Sequence, residues 1–196
     1  MENITYRCAT PQDAAFVALV VAEAVGNTVM ERAAKGQLSA DDQHTLSLIE
    51  AVCRRDDTLY SWQHTRLAIA DGVPVGALVC YPGEGYMECR TRTFALLSSL
   101  ITFDVEGMDA ETCDGEYYLD SLAVLPSHRG MGIARCLLEH AQREAHRLGR
   151  PAILACAPDN AGARRLYESL GFRHEGQMYI FGEDYLRMVS SSITSS

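Results

Sequence analysis

The residues Arg129-Gly130-Met131-Gly132-Ile133-Ala134 follow an apolar run and open a helical pattern. A strand, a glycine turn and a helix start together make an anion site. The first turn of a helix leaves backbone N–H groups unpaired, and the helix dipole favours negative charge there. Gly130 and Gly132 allow the backbone to approach a phosphate with no Cβ in the way. Arg129 can add a charge-assisted contact or brace the loop. A dinucleotide fold needs a third glycine, and Ile133-Ala134-Arg135-Cys136 after Gly132 do not supply it. A tight turn without a ligand is the plain alternative.

A second group is Asn160 with Tyr167 in Pro158-Asp159-Asn160-Ala161-Gly162-Ala163-Arg164-Arg165-Leu166-Tyr167-Glu168-Ser169-Leu170-Gly171-Phe172. Asn160 can be a helix N-cap and nothing more. Tyr167 shares a helix face with Ala163, Leu166 and Leu170, so it can be packing alone. A third group is Glu116, Tyr118 and Asp120. A period of two puts them on one side of a strand, provided no bulge intervenes.

The elements around these groups alternate. Ile4 to Cys8 reads as a strand. Thr10, Pro11 and Asp13 predict a capped helix start, and the helix runs to about Val25. A second helical pattern opens at Asp41-Asp42, with Leu46, Ile49 and Val52 recurring at helical spacing. Thr65 to Ala70 and Val73 to Tyr81 flank Asp71-Gly72, a strong hairpin signal. Tyr86 to Leu100 reads as helical. Asp104, Glu106, Asp109, Glu111, Asp114 and Glu116 follow with no Lys or Arg among them. They read as a solvated loop, or as the wall of a site that attracts an amine. Tyr117 to Val124 reads as a buried strand ended by Pro126.

An amphipathic helix then runs to about Leu148, stopped by Gly149. Ala152 to Ala157 is a strand, and a short helix ends at Leu170-Gly171. Phe172 to Phe181 and Asp184 to Val189 form a hairpin around Gly182-Glu183. The result is an α/β (α+β) chain with a mixed central sheet of about seven strands flanked by helices. One domain over 1–190 is expected, with residues 191–196 as a flexible tail.

The 196-residue chain is 47% hydrophobic, with a net charge of −9. That charge argues against a nucleic-acid partner. No apolar run approaches the ~20 residues that span a bilayer, so no membrane partner is expected. Met1-Glu2-Asn3-Ile4 shows no secretory pattern, and a cytoplasmic protein is expected. The seven cysteines include no CxxC pair, so they are expected to be reduced, with no metal site.

The run Leu119-Asp120-Ser121-Leu122-Ala123-Val124-Leu125-Pro126-Ser127-His128-Arg129-Gly130-Met131-Gly132-Ile133-Ala134 resembles motif A of the GNAT superfamily of N-acetyltransferases. Its (Gln/Arg)-x-x-Gly-x-(Gly/Ala) signature is matched by Arg129, Gly132 and Ala134. The Asn160 to Phe172 run resembles motif B, Asn-x-x-Ala-x-x-(Leu/Phe)-Tyr-x-x-x-Gly-Phe. The resemblance covers about Tyr117 to Val189.

It implies acetyl-CoA as acyl donor and splayed strands at its site. Leu122, Ala123 and Val124 would meet the pantetheine arm, and the loop from Arg129 through Gly130, Met131, Gly132 and Ile133 to Ala134 the pyrophosphate. Asn160 and Ala163 belong to the same site, with Tyr167 near the sulfur. A tyrosine is protonated at neutral pH and can give the leaving thiolate a proton, so Tyr167 is the expected general acid. Such enzymes often carry an acidic base on the strand. Asp120 is the first candidate and Glu116 the second, with a merely braced carboxylate as the alternative. An amine-bearing small molecule or peptide is the implied acceptor, and the chain is expected as a monomer or homodimer. A non-catalytic acyl-CoA sensor on the same fold is the alternative.

Overall fold

A computed structural model describes residues 3–26 and 28–190. The Ser/Thr-rich tail from residue 191 lies outside the described residues. The strands are β1 (Ile4–Cys8), β2 (Thr65–Ala70), β3 (Val73–Pro82), β4 (Tyr117–Val124), β5 (Ala152–Cys156), β6 (Arg173–Ile180) and β7 (Glu183–Ser190). The helices are α1 (Ala14–Ala24), α2 (Val29–Ala34), α3 (Ala40–Cys53), α4 (Tyr86–Leu96), α5 (Ile133–Arg147) and α6 (Ala161–Ser169). The strands form one seven-stranded sheet in the order β1-β2-β3-β4-β5-β7-β6. Every neighbouring pair is antiparallel except β4 and β5, which are parallel. This is an open α/β sheet.

Local chemistry explains most boundaries. The Asp13 carboxylate accepts from the Thr10 backbone N–H at 2.8 Å and from Arg7, so the expected cap forms. Asp71 and Gly72 both have positive φ, 47° and 82°, as the two-residue hairpin requires. The β6–β7 turn falls at Phe181-Gly182, one residue earlier than the glycine suggested, because Ile180 pairs with Glu183.

Two helices differ from expectation. The six-residue α2, which carries no strong periodic signal, forms where Val29 and Met30 are buried. The α4 helix ends at Leu96, four residues before Leu100. Helix α3 begins at Ala40, capped by Ser39, whose Oγ accepts from the Asp42 N–H at 3.0 Å.

The two faces of the sheet carry separate cores. Val17, Val21, Ile49 and Tyr118 pack beneath α1 and α3. Ile133, Leu137, Leu138 and Leu154 pack beneath α5. The sheet therefore holds β4 between two helical layers, with its C-terminal end aimed at the start of α5.

Candidate active site

Strand β4 pairs with β5 only at Tyr117–Ala152 and Tyr118–Ile153. Beyond Tyr118 the two strands part. Leu122, Ala123 and Val124 still pair with β3, at Leu78, Ala77 and Gly76, and have no β5 partner among the described residues. The gap between β4 and β5 therefore offers backbone groups to a third, extended chain.

The glycine loop sits at the end of that gap. Gly130 and Gly132 both stand at φ 78°, and Gly132 is the N-cap residue of α5. None of the N–H groups from Gly130 to Arg135 meets an acceptor among the described residues. Such a row of donors at the start of a 15-residue helix suits a phosphate. The Arg129 guanidinium braces the loop: Nε donates to the Val124 carbonyl at 3.2 Å and Nη2 to Glu23 at 3.1 Å. Glu23 also accepts from the Met30 N–H at 2.9 Å, so one carboxylate ties the α1–α2 turn to the loop.

Across the gap, Asn160 caps α6, its Oδ1 accepting from the Ala163 N–H at 3.0 Å. That is the structural role expected of the residue type, and it leaves the Asn160 amide group as a donor. Tyr167 lies two turns on, edge-on to the Phe172 ring at 6.0 Å. Its hydroxyl makes no hydrogen bond to a described residue. Burial pushes its pKa up to about 12, so it stays protonated at neutral pH.

Between β3 and β4 the chain makes a long excursion through α4, and this is where sequence reasoning missed most. Glu111, one of an acidic stretch read as a solvated loop or as the wall of a site that attracts an amine, is only 4% exposed. Its carboxylate accepts from the Tyr118 hydroxyl at 2.9 Å and the Tyr86 hydroxyl at 3.0 Å. Asp120 accepts from the Tyr81 hydroxyl at 2.6 Å and the Ser121 hydroxyl at 2.7 Å. Glu111 and Asp120 line one cavity of about 60 Å³, with Tyr118, Ser121, Phe181 and Val25 among its other walls. No single stretch of sequence signals this cluster, whose parts come from β3, α4, the loop after it and β4.

A bulge helps to build it. Leu78 pairs with Leu122 and Cys80 with Leu119, so β4 holds one extra residue at Asp120-Ser121. Both side chains therefore line the cavity. Tyr118 and Asp120 share a side, as the period of two requires. Glu116, expected beside them, lies just before the strand. It accepts from the Arg187 guanidinium and from the Thr112 hydroxyl at 3.0 Å, and it does not line the cavity.

The donors to Glu111 and Asp120 are neutral hydroxyls. No Arg, Lys or His bonds either one among the described residues. Burial raises the pKa of both, and the charge on Asp120 pushes Glu111 up further, to about 7. Phenol bonds from Tyr118 and Tyr86 hold it from rising more. The arrangement can take a proton near neutral pH and can attract a cation. The described residues hold no group of three His, Cys, Asp or Glu suited to a metal, and no helix long and apolar enough to cross a membrane.

A mixed sheet parted between β4 and β5, with a glycine-capped helix at the mouth of the gap, defines an acyltransferase fold. The chain belongs to the acetyltransferase (GNAT) family, whose model matches residues 29–172. Its structure is similar to the crystal structure of an acetyltransferase with 26% identity and a TM-score of 0.72, over 96% of this chain and 99% of that one. It is also similar to an N-acetyltransferase from Staphylococcus aureus Mu50, at 24% identity and TM-score 0.74, over 94% of this chain and 99% of that one. A more distant likeness, at 19% identity and TM-score 0.56, is to a chain of the NatC complex bound to Gag peptide and CoA, over 97% and 99% of the two chains. No curated protein matches the sequence.

Proposed function

We propose that the chain transfers an acetyl group from acetyl-CoA to a primary amine by direct attack on the thioester. The observation that carries this reading is the pair of buried Glu111 and half-buried Asp120 beside the β4–β5 gap, with no cationic side chain bonded to either. Two carboxylates sharing one cavity favour a cationic partner, and an ammonium acceptor supplies one.

The residues fit the donor. The unpaired N–H groups from Gly130 to Ala134 would hold its pyrophosphate, and Leu122, Ala123, Val124, Asn160 and Ala163 would flank its pantetheine arm. Acetyl-CoA supplies the acetyl group as an activated thioester.

The acceptor enters as an ammonium and must lose a proton before its nitrogen can attack. Glu111, poised near pH 7, takes that proton, with Asp120 as the second carboxylate of the pair. The nitrogen–carbon bond forms, the carbon–sulfur bond breaks, and Tyr167 gives its proton to the departing sulfur. The second nitrogen proton leaves to solvent. Glu116, tied to Arg187, has a structural role in this scheme.

The test mixes the purified chain with acetyl-CoA and a panel of primary amines, and follows thiol release and product mass. Amine-dependent thiol release with acetylated product supports the reading. Tight acetyl-CoA binding with no turnover of any amine would overturn it in favour of a sensor.

A further inference from the structure

The cavity at Glu111 and Asp120 holds about 60 Å³, room for an amine and a few further atoms. Any larger acceptor must extend beyond it. Beside it lies a groove of about 650 Å³ between α4 and the segment 97–110, the size of a small-molecule site. Met87, Phe94, Ile101, Val105 and Met108 supply apolar walls.

One apolar cluster divides the two spaces. Phe94 and Met108 face the groove, while Ile180 and Phe181 belong to the same cluster and Phe181 faces the cavity. Three rings make up the partition, edge-to-face at 6.2 Å (Phe94 and Phe103), 6.4 Å (Phe94 and Phe181) and 5.4 Å (Phe103 and Phe181). A partition of three side chains opens by rotamer changes, without moving a strand.

Phe181 stands at φ 55°, a conformation that disfavours a large L-residue. Asn or Gly would serve that turn better. The position therefore keeps the phenyl ring at a cost to the backbone, as strained functional positions do.

The charged residues at the groove narrow the occupant. Arg90 is 4% exposed, and its Nη2 donates to the Val105 carbonyl at 2.7 Å and the Met108 carbonyl at 3.4 Å, fixing the groove wall to α4. Its Nε has no partner among the described residues. Glu106, the other charged residue of the lining, is exposed at the rim, so an ammonium carried into the groove would leave solvent and face the buried guanidinium, whereas a hydrocarbon meets the apolar walls.

We propose that the groove holds the apolar tail of the acceptor, that Phe94, Phe103 and Phe181 form the passage to the acid cavity, and that the acceptor class is a primary amine on an unbranched apolar chain. The proposal rests on the amine acetyltransferase reading above.

The test is a series from ethylamine through butylamine and hexylamine to octylamine, with spermidine as the polycationic control. The kcat/KM is expected to rise by about fourfold for each methylene buried in the groove. Spermidine is expected to do no better than butylamine. Ala95 is exposed on the groove wall, so Ala95→Trp fills the groove from its surface. It should abolish the gain with chain length and leave ethylamine turnover unchanged. A flat series, spermidine as the best substrate, or a gain that survives Ala95→Trp overturns this proposal while leaving amine acetylation intact. Failure of every amine to react overturns the functional reading itself, and this proposal with it.

Discussion

Glu111 accepts a hydrogen bond from the Tyr118 hydroxyl at 2.9 Å, and so joins the excursion between β3 and β4 to the middle of the sheet. The carboxylate comes from a loop and the phenol from β4. Their pairing gives the buried acid a fixed position beside Asp120, which a mobile loop could not do. It also makes the protonation state of Glu111 a property of the fold.

Glu111→Gln should lower kcat/KM by on the order of 10²–10⁴, the usual range for a general base. In the native protein, activity should rise with pH through about 7, where Glu111 loses its proton, and the variant should lack that limb. Rate measurements from about pH 5.5 to about pH 8.5 check both.

The same residue makes a stability prediction. Its folded pKa lies above its ordinary value of 4.5, so the native state binds the extra proton. That contribution is present below the ordinary value and is lost as pH rises towards about 7. Thermal unfolding should show the native protein losing stability relative to Glu111→Gln between about pH 5 and about pH 8. Parallel curves for the two proteins would remove Glu111 as the titrating group.

Asp120→Asn and Glu116→Gln should separate cleanly. The first should cut turnover sharply with little effect on acetyl-CoA binding. The second should leave turnover near the native level and destabilise the fold by about 1–3 kcal/mol, because Arg187 loses its ionic partner. Steady-state kinetics beside denaturant unfolding distinguishes them, and the reverse pattern would make Glu116 the base.

Tyr167→Phe should reduce kcat by about 10- to 100-fold, if the phenol supplies the proton that the sulfur takes. Because its pKa is held near 12, no fall in activity below about pH 10 should trace to Tyr167. Full activity in the variant would mean that solvent protonates the thiolate.

Gly132→Ala forces an L-residue to φ 78° at the N-cap of α5, although its new Cβ would meet no atom within 4 Å. The cost is conformational, about 1–2 kcal/mol. If relieved by a shift of the loop, it should weaken acetyl-CoA binding more than it lowers stability. Calorimetric titration with acetyl-CoA, beside thermal unfolding, measures the two effects.

The parts of the site made by contiguous residues were legible in the sequence. Gly130 and Gly132 report their backbone needs by type, since few other residues take φ near 78°. Thr10, Asp71-Gly72 and Asn160 likewise act within a few residues of themselves, so their caps and turns could be read locally. The apolar runs of β4 and β5, with α5 between them, announced a parallel pair.

Other features had no local signature. Where β4 and β5 part, and that the bulge falls at Asp120-Ser121, follow from how the strands pair with different neighbours. Glu111 looked like its neighbours in an acidic stretch. Only the packing of α4 and its following loop against β3 and β4 removed water from it and surrounded it with Tyr86 and Tyr118. Glu116, four residues before Asp120, was drawn instead to Arg187 on β7. The sequence by itself determined the fold class and the glycine loop at the start of α5, because those depend on near neighbours. The tertiary structure alone decided which carboxylates face the cavity, because burial and charge pairing depend on residues far apart in the chain.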